Sequence, residues 1–179
     1  VTDLPYRLIC QEAGAGYTCI EMLYVDAITH TNPSTEKLRE TSDAEDLKII
    51  QVTGNTLTEF KKALPILKHY DIVDLNCGCP SIRITGNKAG SYLLTNPKKI
   101  AQIVSLLTKA GITVTVKIRL GFKEYNALEV ARAVEKAGAK ALTVHCRLGI
   151  HSNKTPADWS WLTKIKQAIS IPLIGNGDI

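Results

Sequence analysis

Short apolar, β-branched runs alternate with longer amphipathic runs along almost the whole chain, and this alternation restricts the fold more than any other feature. The short runs fall at 18–22, 47–53, 72–76, 113–120, 141–146 and 172–175. Apolar residues at successive positions in them predict strands buried on both faces. The longer runs predict helices over 4–13, 58–69, 97–110, 127–137 and 159–169; in 58–69, for example, Phe60, Leu64 and Leu67 recur at helical spacing. Their punctuation agrees. Asn96-Pro97 is a cap followed by proline at the first helical position, Gly111 and Gly138 follow two of the helices, and Asp158 precedes another. A strand and a helix repeated every roughly thirty residues give parallel strands joined by helical crossovers. The polar stretch 31–46 is expected to be a loop with a short helix.

Two α/β architectures satisfy that pattern: an open doubly wound sheet and a (β/α)8 barrel. A dinucleotide-type open sheet usually carries G-x-G-x-x-G after its first strand, and this chain has none. Polar residues and glycines gather instead at the carboxyl ends of several runs: Glu21, Gln51, Asn76 to Cys79, Lys117 with Arg119, His145 with Arg147, and Asn176 to Asp178. Spreading a site over many strand ends is how barrels build active sites. The expected fold is therefore a (β/α)8 TIM barrel, incomplete, because six strands are readable where a barrel has eight. The first strand is expected before Val1 and the last after Ile179. Residues 1–179 read as one catalytic domain, with no linker, low-complexity segment or internal repeat.

Composition narrows the function class. The hydrophobic fraction of 45% and charged fraction of 22% are those of an ordinary soluble protein. No run approaches the roughly 18 apolar residues of a membrane span, and no secretion signal is visible. The net charge of +5 favours a polyanionic partner such as RNA without requiring one. The cysteines, Cys10, Cys19, Cys77, Cys79 and Cys146, are odd in number and irregular in spacing. That argues against a disulfide framework and for a reducing cytoplasm.

Four stretches carry candidate chemistry. In Asp74-Leu75-Asn76-Cys77-Gly78-Cys79-Pro80-Ser81, Gly78 permits a sharp turn and Pro80 stops the strand, which holds a thiol on a loop at a strand end. A thiol with a pKa of about 8.5 is mostly protonated at neutral pH and can donate a proton. The alternatives are a buried structural cysteine, or a metal bound by Cys77 and Cys79, which no second C-x-x-C or His pair supports. Lys117 and Arg119 alternate along one strand and so point the same way. Two inward cations call for an anion: a phosphate, a reduced flavin, or an internal partner such as Glu21 or Asp74. His145 and Arg147 alternate in the same manner. The turn Gly175-Asn176-Gly177-Asp178 exposes backbone amides suited to a phosphate or ribityl chain, or is a simple turn. Gln51 can hydrogen-bond a planar cofactor.

These motifs, in this order and spacing, resemble the tRNA-dihydrouridine synthases along essentially the whole chain. The matching stretches are Val1 to Arg7, Glu21-Met22, Gln51 to Gly54, Asp74 to Pro80, Gly90 to Leu94, Val116 to Leu120, Leu142 to Arg147, Pro156 to Trp159, and Ile174 to Asp178. The resemblance implies reduction of the uracil 5,6 double bond in tRNA, with FMN as cofactor and NADPH as reductant. It implies Cys79 as proton donor to carbon 5 and hydride delivery to carbon 6. It implies that Gln51 and Lys117 contact the isoalloxazine ring with His145 nearby. Asn176, Gly177 and Asp178 would contact the ribityl or phosphate portion, and Asn76, Arg119 and Arg147 would hold the target uridine or its phosphate. The target base would be flipped into the pocket, by a protein acting as a monomer. The family also has a Pro-Met flavin-contacting segment before the position of Val1. After the position of Ile179 it has a Gly-Arg phosphate loop and a helical RNA-binding domain. Its His-Gly-Arg is His145-Cys146-Arg147 here, for which a local packing change is expected.

Two other functions compete. One is an FMN barrel of the dihydroorotate-dehydrogenase type acting on a free pyrimidine, against which the His145/Arg147 pair argues. The other is a non-catalytic RNA-binding or flavin-storing protein, which would not need Cys79.

Overall fold

The structure is a computed structural model that describes residues 2–30 and 32–178. Val1, at the head of the first matching stretch, Thr31, at the head of the polar stretch, and Ile179 lie outside the described residues. Six parallel strands form one sheet in strictly sequential order: β1 (Ile20–Tyr24), β2 (Ile49–Thr53), β3 (Ile72–Cys77), β4 (Val114–Arg119), β5 (Ala141–His145) and β6 (Leu173–Asn176). Sequential order means that the crossovers never reverse direction. The helices therefore share one face of the sheet, since crossovers are almost always right-handed. A doubly wound sheet would contain a switch point, and this one does not. The arrangement is an α/β fold matching a partial TIM barrel, as expected.

The crossover helices are α3 (Leu57–Leu67), α5 (Pro97–Lys109), α6 (Ala127–Lys136) and α7 (Ser160–Ala168). Preceding them in the chain are α1 (Leu4–Glu12) and the short α2 (Pro33–Leu38). The one-turn α4 (Ile82–Thr85) follows β3. Side-chain caps set several helix starts: Asp3 accepts from Tyr6 N, Thr56 from Glu59 N, and Asn96 from Lys99 N ahead of Pro97. The core lies between sheet and helices. Val73, Leu75 and Cys77 of β3, Val114, Val116 and Ile118 of β4, and Leu142 and Val144 of β5 are fully buried against α5 and α6 residues such as Ile103, Leu107, Val130 and Val134. The alternate residues of the same strands point to the concave inner face.

Some expected boundaries shift. The first strand runs Ile20–Tyr24 rather than 18–22, because Leu23 and Tyr24 pair with Val52 and Thr53. Glu21 consequently sits in the first half of β1, exposed, and not at its carboxyl end. Gln51 is likewise central in β2 rather than terminal. A short helix does occur within 31–46. The 3-10 segment Gly90–Thr95 and α4 go beyond the expected elements; both shape the loop after β3.

Candidate active site

The inner face is a ladder of polar side chains at alternate strand positions. Neighbouring strands place Gln51 beside Asp74, Asn76 beside Lys117, Arg119 beside His145, and His145 beside Asn176. A cavity of about 390 Å³ opens on this face. Gln51, Asp74, Thr115, Lys117 and Thr143 supply polar walls, and Ile49, Ile72 and Ile174 apolar ones.

At the carboxyl end of β3 the two cysteines of the motif part. Cys77 points outward into the helix-packed core, fully buried, and burial pushes its thiol well above the ordinary range. Cys79, two residues on, is half-buried on the loop. No cluster of three or more potential metal ligands occurs among the described residues. The loop is held from two sides. Asn76 Oδ1 accepts from the backbone N–H of Gly78 (3.0 Å) and of Cys79 (2.9 Å). Cys79 O accepts from Ser91 N at 2.9 Å. Gly90 is required here: it has φ +57°, and a Cβ on it would lie 2.6 Å from Cys79 O.

The cations differ in how fully they are engaged. Arg119 donates from Nε to Gly78 O (2.9 Å) and from Nη1 to Leu148 O (3.0 Å), both neutral acceptors. Burial lowers its pKa, and Arg147 adds to the effect. Lys117 Nζ reaches Asn176 Oδ1 at 3.3 Å, and burial lowers its pKa too. Neither forms an ion pair among the described residues, so the internal partners Glu21 and Asp74 do not take that role. Arg147, by contrast, is nearly saturated. It donates to Thr155 O, to Asn153 O (3.3 Å), to His145 Nε2 (3.0 Å) and to the Asp178 carboxylate. Asp178 has φ +54°, and its other oxygen accepts from Ala157 N at 2.8 Å. Both carboxylate oxygens are therefore in use, while Arg147 holds the carboxylate below its ordinary range.

His145 is the electrostatic result. Burial, then Arg119, Lys117 and Arg147, push its pKa from 6.5 down to about 4. A guanidinium cannot accept a hydrogen bond, so Nε2 is the acceptor from Arg147 and the ring proton resides on Nδ1. His145 is thus a neutral donor at the strand ends. Gly177 backs the ring: it has φ +114°, and a Cβ there would come within 3.2 Å of it.

Apart from Glu21 and the core cysteines Cys77 and Cys146, the residues singled out in the sequence therefore lie along the inner face or at its carboxyl rim. Asp74 and Thr115 complete the set. The sequence points to Asp74 only as an ion-pair partner and to Thr115 not at all, although both share the alternation of Asn76 and of Lys117 on their own strands. Cys146 fits its departure from glycine by full burial, its thiol 3.8 Å from Val144 O.

Known proteins are similar along the whole chain. The family model described as dihydrouridine synthase (Dus) matches residues 1–179. The tRNA-dihydrouridine synthase B of Pasteurella multocida is 36% identical over 185 residues, covering 100% of this chain and 55% of that protein. That of Proteus vulgaris is 35% identical over 184 residues, covering 100% of this chain and 57% of the relative. A probable tRNA-dihydrouridine synthase of Rhodobacter capsulatus is 31% identical, with 100% and 57% covered. The chain spans about half the length of the curated relatives it matches. With a full-length family match and a singly wound sheet bearing the motifs at its strand ends, the chain belongs to the dihydrouridine synthase family.

Proposed function

We propose that residues 1–179 are the catalytic, flavin-binding domain of a tRNA-dihydrouridine synthase that reduces the 5,6 double bond of uridines in tRNA. The observation that carries this reading is the half-buried Cys79, held by Asn76 beside a concave face bearing Gln51 and Lys117. That face fits FMN. Its cavity combines apolar walls for a planar ring with polar side chains that include Gln51 and Lys117, and Lys117 and Arg119 offer cationic charge with no carboxylate paired to it among the described residues. Gln51, Lys117 and His145 would hold the ring, and Asn176, Gly177 and Asp178 the ribityl or phosphate portion. With its carboxylate bound to Arg147 and Ala157 N, Asp178 would act chiefly through its backbone and by positioning Arg147.

When bound, FMN supplies hydride to carbon 6 of the uracil, drawn from NADPH. Cys79 supplies the proton to carbon 5. Its thiol stands at the rim, where a base flipped out of the RNA stack can reach it. Asn76 shapes the Cys79 loop and borders the uridine. Arg119, with its Nη2 engaged by no protein acceptor among the described residues, is the better placed of the two arginines for the uridine or its phosphate. Arg147 acts mainly by fixing His145. The protein would work as a monomer in the cytoplasm; among the described residues no helix is long and apolar enough to cross a membrane.

The test uses the full-length protein in a strain that lacks dihydrouridine. The wild type restores the modified base in tRNA and purifies yellow. Cys79→Ala keeps the flavin but lowers the rate of dihydrouridine formation by roughly 10²–10⁴-fold, the usual contribution of a general acid. Wild-type dihydrouridine levels with the alanine variant would refute the acid assignment.

A further inference from the structure

The acid of the site is positioned by a directional chain of hydrogen bonds that begins at a carboxylate. Asp74 Oδ1 accepts from Thr115 Oγ1 at 2.6 Å, and Asp74 Oδ2 accepts from Gln51 Nε2 at 2.7 Å. Gln51 Oε1 accepts from Asn76 Nδ2 at 2.9 Å. Asn76 Oδ1 accepts from Gly78 N and Cys79 N at 3.0 and 2.9 Å. Asp74 and Asn76 are both buried, so these groups depend on one another rather than on bulk water.

The order of donors and acceptors matters more than any single bond. A primary amide is nearly symmetric in shape, and only its partners decide which end is oxygen. An ionised carboxylate has no donor. It therefore draws the NH2 of Gln51 towards itself and turns Oε1 to the opposite side. That oxygen draws the NH2 of Asn76, which leaves Oδ1 facing the loop, where two backbone N–H groups need an acceptor. A reversed Asn76 would set its NH2 against those two donors, and the loop would have to move.

We propose that Asp74 is a positioning residue whose carboxylate fixes the amide directions of Gln51 and Asn76 and thereby the conformation of the Cys79 loop. It touches neither the cysteine nor, in the proposed function, the uracil. The assignment deepens that function, but its core claim concerns the loop alone and can be read out without turnover.

The readout is the second-order rate constant for alkylation of Cys79 by iodoacetamide at fixed pH, followed by mass spectrometry of the Cys79 peptide in the full-length protein. Asp74→Asn keeps the side-chain size and lets the chain reverse; the rate changes by about tenfold, the equivalent of one hydrogen bond. The double variant Asp74→Asn/Gln51→Glu restores the direction. The introduced glutamate accepts both from the introduced asparagine and from Asn76, so the rate returns to within about threefold of wild type, under half the energy of one hydrogen bond. A residue that merely fills space would show no such rescue. A folded double variant with the wild-type rate supports the proposal even where the single variant does not accumulate. An unchanged rate in Asp74→Asn, or a double variant no closer to wild type than the single, overturns it. Dihydrouridine formation is measured alongside. Its absence in the wild type would count against the proposed function and leave the alkylation result to decide the positioning role.

Discussion

Arg7 and Arg119 are buried almost equally, at 1% and 8% exposure, and serve opposite ends. Arg7 is self-sufficient. Its Nε lies 2.7 Å from the buried Glu45 carboxylate, and its remaining nitrogens donate to Thr2 O (2.6 Å) and Glu40 O (2.7 Å). It ties α1 to the segment before β2. Arg119 has only two peptide carbonyls and no counterion among the described residues. Burying a charge without a partner is costly. A fold bears that cost twice, at Arg119 and Lys117, where an incoming anion can meet it. The contrast is between a cation that holds the protein together and cations that, in the proposed function, hold a ligand.

Exchanging each arginine for an apolar residue of similar length should break the symmetry most visibly. Arg7→Met leaves Glu45 buried and uncompensated, so urea denaturation should show a loss of about 3–5 kcal/mol. Arg119→Met leaves Gly78 O and Leu148 O without their donor but also removes a buried charge with no counterion, so the two effects offset and the same measurement should move by about 1 kcal/mol or less. A loss at Arg119 as large as that at Arg7 would mean that it too is structural. Ligand affinity should show the inverse pattern. FMN or tRNA binding should weaken by about tenfold or more with Arg119→Met, as expected for one charge-assisted hydrogen bond, and change little with Arg7→Met.

A further test is a titration. Between pH 6.5 and about 4 an unfolded chain has taken up a proton at His145 while the folded protein has not. The unfolded state binds more protons there, so the His145 contribution to stability falls as pH drops from 6.5 towards 4 and levels off below. NMR of the imidazole should place its midpoint near 4 in the protein without ligand. A bound phosphate-bearing ligand should raise that midpoint by offsetting Arg119 and Lys117. A midpoint near 6.5 without ligand would mean that neither burial nor those cations act on the ring as described.

The sequence revealed whatever depends on neighbours along the chain and concealed what depends on neighbours across it. All six strands were legible because short apolar, β-branched runs mark them even where polar residues take the alternate, inner-face positions. The pairs Lys117/Arg119 and His145/Arg147 were legible because alternation alone puts two side chains on one face. The bounds of the first strand were not, because Glu21 and Tyr24 interrupt its apolar run, and its position is settled by pairing with β2. The links Gln51 to Asp74, Asp74 to Thr115 and Arg7 to Glu45 bridge 23, 41 and 38 residues. No spacing rule joins such residues; only strand register and helix docking do. The availability of Arg119 against the saturation of Arg147 was hidden for the same reason, since it rests on carbonyls of the loops that follow β3 and β5.

The strictly sequential strand order has a consequence for how the protein comes into being. Each strand from β2 to β6 finds a partner in the strand synthesised just before it, so none of these pairings has to wait for a later strand or thread past one. The ribosome therefore releases the sheet in the order in which it is laid down. The thiol loop is delivered before the cations, and the cations before the turn at Asn176–Asp178 that closes over His145 and Arg147. A nascent chain halted before that turn would lack the Asp178 carboxylate that compensates Arg147.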